Sequence, residues 1–175
     1  MAVEHVVNKL SKKYDNTWGN RIKTVIIGTI PGQESLCGDF YYLSKSNSFW
    51  KIMDEIIKPN PSFKDLLNKK QYNEILDILK DNGIALFDVL SECYMDGSLN
   101  KTITNEVKND NLEKFLNDNP DVKVVFNGKD AKEFYDKLFR NEYVVYNSSN
   151  SCSKIIEDKI KGNVKTGISN WNIIL

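Results

Sequence analysis

The sequence predicts an α/β fold: a three-layer α/β/α sandwich around a central, mostly parallel four-stranded sheet. Three observations lead there. Four short runs, "TVIIG" (24–28), "IALFDVL" (84–90), "VKVVFNG" (122–128) and "YVVY" (143–146), are nearly continuously apolar and rich in β-branched residues. That is the pattern of strands buried on both faces. Segments with apolar residues at helical spacing lie between these runs, and strands alternating with helices imply parallel crossovers. The length, 175 residues, suits one domain with one core, so positions 1–175 are expected to form a single unit.

The elements follow in order. The first strand ends in the turn Gly28-Thr29-Ile30-Pro31-Gly32. Phe49, Ile52, Met53, Ile56 and Ile57 form the apolar stripe of a helix, and "KPNPS" (58–62) is a loop. Tyr72, Ile75, Leu76 and Leu79 mark the next helix, which Asn82-Gly83 stops. Asp110 with Glu113 reads as a capping box for a helix bearing Leu112, Phe115 and Leu116, closed before Pro120. Ala131, Phe134, Tyr135 and Leu138 make another stripe; a last helix is expected over 153–161, with Trp171, Ile173 and Ile174 docking the terminus.

Composition narrows the function classes. Apolar residues are 41% and charged residues 27%, ordinary for a globular protein. No apolar run approaches the ~20 residues of a membrane helix, and the start lacks the apolar core of a secretory signal. The three cysteines, Cys37, Cys93 and Cys152, are far apart. They fit a reducing, cytoplasmic setting without a disulfide framework. They also fall short of the four thiolates of an all-cysteine iron–sulfur cluster. The 24 basic and 24 acidic residues cancel, whereas strong nucleic-acid binders are usually more basic. Local basic clusters remain near the start (Lys9, Lys12, Lys13, Arg21, Lys23) and the end (Lys154, Lys159, Lys161, Lys165).

The single histidine, His5, is expected in a frayed N-terminus, which leaves no Ser-His-Asp or Cys-His arrangement. There is no zinc-ligand cluster, no P-loop and no G-x-G-x-x-G fingerprint, and no cofactor or metal is expected. Carboxylates, amides, hydroxyls and aromatics remain. Such a set can stack a planar heterocycle, read its edge and position a water. Ligands of open parallel sheets bind beyond the carboxyl ends of the strands. The residues after each run therefore matter most: Gly28 to Gly32, the stretch from Asp88 to Asn100, Asn127-Gly128, and Asn147 to Ser151. Gly, Pro, Asn and Ser also simply dominate turns.

The order of these segments resembles the uracil-DNA glycosylase superfamily, and within it the hypoxanthine-DNA (deoxyinosine) glycosylase branch. That branch has Gly-Ser/Thr-x-Pro-Gly/Ser after a strand, then Ser-Leu, Tyr-Tyr and Asn-x-Phe-Trp. This chain has Gly28-Thr29-Ile30-Pro31-Gly32, Ser35-Leu36, Tyr41-Tyr42 and Asn47-Ser48-Phe49-Trp50. The branch's Gly-Ile-x-Leu-Trp-Asp-Val-Leu, Cys and Gly-Ser-Leu-Asp correspond to "GIALFDVLSECYMDGSLN" (83–100). Its Phe-Asn-Gly corresponds to "VVFNGKDA", with Asn127. The likeness runs from about residue 22 to the end. Two motifs depart from the pattern. Ser44-Lys45-Ser46 replaces His-Pro-Arg. "YNSSNSC" (146–152) replaces Leu-Pro-Ser-Thr-Ser-Pro-Ala, so Asn147 and Ser151 stand where stiffening prolines would hold a DNA-gripping loop.

The resemblance implies a monomeric, cofactor-free DNA glycosylase that hydrolyses the N-glycosidic bond of uracil or hypoxanthine in DNA. The alternative is a catalytically silent relative that binds nucleic acid or nucleotide. Ile30 occupies the position of the catalytic Asn in mismatch-specific relatives, so the water ligand implied here is Asn47. Asn is equally a good helix N-cap, and Asn47 precedes a helix. Tyr42 would stack on the flipped base and Tyr41 line the pocket wall. Asn127 would read a base edge, or simply form an Asn-Gly turn. Gly28, Thr29, Ile30 and Gly32 would offer backbone amides at close approach. Asp88 is a base-facing acceptor, an orienting group or a brace for the following loop. Ser148, Ser149 and Ser151 would bond phosphates, and Lys45 faces phosphate or solvent.

Overall fold

The structure, a computed structural model, describes residues 3–10, 22–96 and 102–139, with the backbone of 145–146. It is a mixed α/β fold with seven strands in two sheets among the described residues.

The first sheet holds β2 (Thr24–Gly28), β3 (Ile84–Asp88), β6 (Lys123–Phe126) and β7 (Val145–Tyr146), in the order β3-β2-β6-β7. Every pairing in it is parallel. All five residues of β2 and all five of β3 are buried, which is why both read as unbroken apolar runs. The chain leaves β2 for β3 on one side, then returns past β2 to β6 on the other. The sheet therefore has a topological switch point between the carboxyl ends of β2 and β6. The register brings those ends level: Gly28 pairs with Asp88, and Ile27 with both Phe87 and Phe126.

The second sheet corrects the single-sheet expectation. It is antiparallel, in the order β1-β4-β5, from β1 (Glu4–Val7), β4 (Leu90–Asp96) and β5 (Thr102–Lys108). The run 84–90 is consequently not one strand. It breaks at Val89, whose N–H donates to the Gly28 carbonyl, and the Leu90 N–H donates to the Thr29 carbonyl. These two bonds turn the chain out of the parallel sheet. His5 is likewise not frayed. It lies on β1, donates from Nε2 to a Glu92 carboxylate oxygen at 2.6 Å and stacks on Tyr94 at 4.6 Å.

Six helices are described: α1 (Gln33–Gly38), α2 (Phe49–Ile57), α3 (Phe63–Asn68), α4 (Tyr72–Asp81), α5 (Asp110–Asp118) and α6 (Lys129–Leu138). The helix α2 buries Phe49, Trp50, Ile52 and Met53. Trp50 also stacks near Phe40 at 5.6 Å and donates its indole N–H to the Tyr41 carbonyl. The cap of α5 is Asn109, not Asp110: its Oδ1 accepts from the N–H groups of Asn111 and Leu112. The Asn109 amide group also donates to the Asp88 carbonyl at 2.8 Å, tying the head of α5 to the end of β3. The helix expected over 153–161 and the docking of Trp171 lie outside the described residues.

Candidate active site

The carboxyl end of β2 is where several expected site residues meet. Gly28 is buried beneath two oxygens from elsewhere in the chain. A methyl group at Gly28 would sit 2.5 Å from Asp88 Oδ1 and 2.9 Å from the Tyr42 hydroxyl. Glycine is therefore required there by close approach. Gly28→Ala is expected to displace Tyr42 and destabilise the fold by about 1–3 kcal/mol. At Gly32 the same methyl meets nothing within 4 Å, so Gly32→Ala should stay within about 0.5 kcal/mol. Denaturant unfolding of the two variants checks the contrast.

Asp88 closes β3 and is 2% exposed. Burial pushes its carboxyl from the ordinary 3.8 up to about 7, and a hydrogen bond from Asn8 pulls the other way. The Asn8 amide group donates to Asp88 Oδ2 at 3.4 Å and to the Leu90 carbonyl at 3.1 Å. Its own Oδ1 accepts the Leu10 N–H at 3.0 Å. Both ends of the carboxamide are thus fixed. Asn8 is 3% exposed and was not among the residues the sequence pointed to. The only signal for it was the short β-branched pair Val6-Val7 at the end of β1, immediately before it.

The loop between α1 and α2 supplies the aromatic part. Tyr42 holds a left-handed backbone, φ 56°, a conformation that costs about 1–3 kcal/mol in a non-glycine residue unless its surroundings enforce it. Two neighbours enforce it here. Ser35 Oγ accepts the Leu43 N–H at 3.1 Å, and the Tyr42 ring stacks on Phe49 with centroids 4.1 Å apart. Tyr41 is placed differently from expectation. It is 1% exposed and packed in the core, with no open wall reaching it.

Asn47 lies in the same loop, partly buried. Its Oδ1 accepts the Phe49 N–H at 2.9 Å. Ser48 is the helix N-cap by backbone position and makes no side-chain cap bond. Asn47 therefore braces the first turn of α2, under the residue on which Tyr42 stacks. A carboxamide oxygen has two lone pairs, so one remains for a second donor such as water.

Asn127 follows β6 directly, and its N–H extends the ladder to the Ile27 carbonyl at 2.8 Å. The next residue, Gly128, has φ 107° and starts α6, a backbone that favours glycine. The Gly28–Gly32 and Asn127-Gly128 turns thus flank the switch point. The Gly28 carbonyl is taken by Val89, the Thr29 carbonyl by Leu90 of β4 and the Gly32 carbonyl by Leu36 of α1. Ile30 is partly buried, and Lys45 is exposed beside a Ser44–Ser46 hydroxyl contact. Ser148, Ser149 and Ser151 lie outside the described residues.

A groove of about 520 Å³ opens elsewhere, lined by Ile22-Lys23 and the 118–123 turn. It sits at the amino ends of β2 and β6, the edge where parallel sheets do not place ligands. Among the described residues no His, Cys, Asp or Glu group of three or more could hold a metal ion. No described helix is long and apolar enough to cross a membrane. Cys37 and Cys93 are free thiols; burial first, then Glu92, pushes the Cys93 thiol up.

No family model matches the chain. The hypoxanthine DNA glycosylase of Methanosarcina acetivorans is 32% identical over 119 residues, spanning 66% of this chain and 69% of that protein. The chain belongs to the hypoxanthine DNA glycosylase family. The Methanosarcina barkeri member is 31% identical over 120 residues, with the same shares covered. The solution structure of a candidate uracil DNA glycosylase from Methanosarcina acetivorans superposes with a TM-score of 0.66 at 25% identity, covering 98% of this chain and 96% of that one.

Proposed function

We propose that this protein is a monofunctional DNA glycosylase that hydrolyses the N-glycosidic bond of a deaminated base, hypoxanthine or uracil, in DNA. The observation that carries the reading is the meeting of Tyr42 and Asp88 over Gly28 at the carboxyl end of the parallel sheet, in a chain of this family. The substrate base must leave the stack, at a cost of a few kcal/mol. The Tyr42–Phe49 stack gives it a new face, and aromatic stacking returns about 1–3 kcal/mol per base. Asn127 reads the base edge from across the switch point. The N–H groups of Thr29, Ile30 and Gly32 meet the negative charge that builds on the departing base, and Gly28 admits it closely. The second lone pair of Asn47 Oδ1 holds the attacking water. Lys45 and Ser148, Ser149 and Ser151 face the DNA backbone, and Asp88 supports the pocket from beneath.

The same proposal places helices on both faces of the parallel sheet, makes residues 1–175 a single domain, and has the protein act as a cytoplasmic monomer. A second reading, binding without catalysis, draws on the Asn47–Phe49 bond, which already gives Asn47 a structural task.

The test is base release from labelled oligonucleotides carrying hypoxanthine, uracil or xanthine, single- and double-stranded, followed by alkali. Strand scission at hypoxanthine or uracil is the expected result. Scission at none of them, with retained binding, selects the silent relative.

A further inference from the structure

Asp88 and Asn8 form a buried polar pair that the catalytic steps above do not use. Asn8 belongs to the segment after β1, far in sequence from every strand-end loop of the parallel sheet. Its backbone N–H donates to the Ser91 carbonyl at 2.8 Å, and its side chain is fixed at Leu10, Leu90 and Asp88. With Oδ2 of Asp88 on the Asn8 side, Oδ1 is the oxygen that presses on Gly28, beside the Tyr42 hydroxyl. The chain at this point runs Asn8, Asp88, Gly28, Tyr42. Asn8 follows β1 of the antiparallel sheet, and Asp88 and Gly28 close strands of the parallel one; Tyr42 is the aromatic on which a base would stack.

We propose that Asn8 and Asp88 are a positioning pair that sets the placement of the Tyr42 ring and so the pocket's affinity for a planar base. The proposal rests on the reading of Tyr42 as the base platform. Neither residue touches the base in it. Asp88 is 2% exposed and Asn8 3%. Asp88 Oδ1 and the Tyr42 hydroxyl crowd the same point above Gly28, and in the proposal the charge on that oxygen acts on the hydroxyl beside it. What the hydroxyl meets therefore changes as Asp88 titrates near pH 7. The surrounding titratable groups are few. Tyr42 faces the pair from its loop, β2 contributes none, and β4 carries Cys93, buried, and Glu92, which is joined to His5 of β1. Asn109 at the head of α5 is neutral and binds the Asp88 carbonyl rather than its carboxyl, and Asp110 beside it is exposed.

The test follows the Asp88 carboxyl and the Tyr42 ring by NMR across pH 5–9 in the full chain. Both should titrate with one midpoint. In Asn8→Ala the midpoint of both should move to higher pH, because the hydrogen bond that favours the charged form is gone. In Asp88→Asn the Tyr42 resonances should become independent of pH over this range, which keeps the test open if Asn8→Ala folds poorly. Tyr42 resonances that ignore the Asp88 titration overturn the proposal. Base-release kinetics form the second arm. Asn8→Ala should raise KM about tenfold with kcat nearly unchanged, the loss of part of one stacking contact. A wild type that releases no base refutes the glycosylase reading alone, since the NMR arm reads the positioning pair without turnover.

Discussion

Asn47→Ala is expected to reduce base release by at least about 10²-fold, the scale on which a misplaced reactant is felt. Stability should fall by only about 0.5–2 kcal/mol, as for the loss of a helix cap. The two effects separate because the Asn47 oxygen has two tasks. One lone pair takes the Phe49 N–H at 2.9 Å, which holds the first turn of α2. The other is proposed to hold the attacking water. Asn47→Asp keeps both acceptors and should retain the fold and a measurable rate. Melting curves read beside single-turnover base release check this. An alanine variant that melts earlier but cleaves at the wild-type rate makes Asn47 a cap and nothing more.

Asp88→Asn is expected to make the protein more stable at pH 8, by an amount on the order of 4 kcal/mol at most. The folded-state carboxyl titrates near 7 and the unfolded one near 3.8. Below the unfolded value the group is neutral in both states, and its stability contribution is fully present. As pH rises, the unfolded chain ionises first while the folded chain keeps its proton. Stability is lost across that window, at about 1.36 kcal/mol per pH unit, and the loss ends near pH 7. The asparagine variant cannot ionise, and its oxygen still accepts from Asn8. The free energies of unfolding of the two proteins should therefore coincide near pH 4 and diverge up to pH 7. Parallel stability curves would mean that Asp88 ionises as readily in the fold as in the unfolded chain.

The parallel sheet was legible because its strands are buried on both faces. Val25-Ile26-Ile27 and Val124-Val125-Phe126 are apolar and buried at consecutive rather than alternate positions, a signal that needs no partner information. The antiparallel sheet was not, because its strands are half exposed. In β5, "TITNEVK" alternates weakly, and Asn105 takes φ 51° within an irregular pairing to β4. The pattern of two is broken where it would have to be read. Missing that sheet also hid Asn8, whose partners come from β3 and β4. Within the candidate site, Gly28, Tyr42 and Asp88 were singled out from the sequence, and the structure brings those three together. Tyr41 differs from the expectation because its ring, a neighbour of Tyr42 with centroids 6.0 Å apart, is buried in the core rather than open to a pocket. The cap of α5 was assigned one residue late, since Asn109 and Asp110 are both good caps and only the fold selects between them.

The most direct measurement of the account is residue-level NMR shift mapping of the protein titrated with an oligonucleotide carrying one hypoxanthine. The account expects perturbations to centre on Gly28, Tyr42, Asn47 and Asn127, at the carboxyl ends of β2 and β6. Perturbations confined to Ile22, Lys23 and the 118–123 turn, at the opposite edge of the sheet, would contradict it.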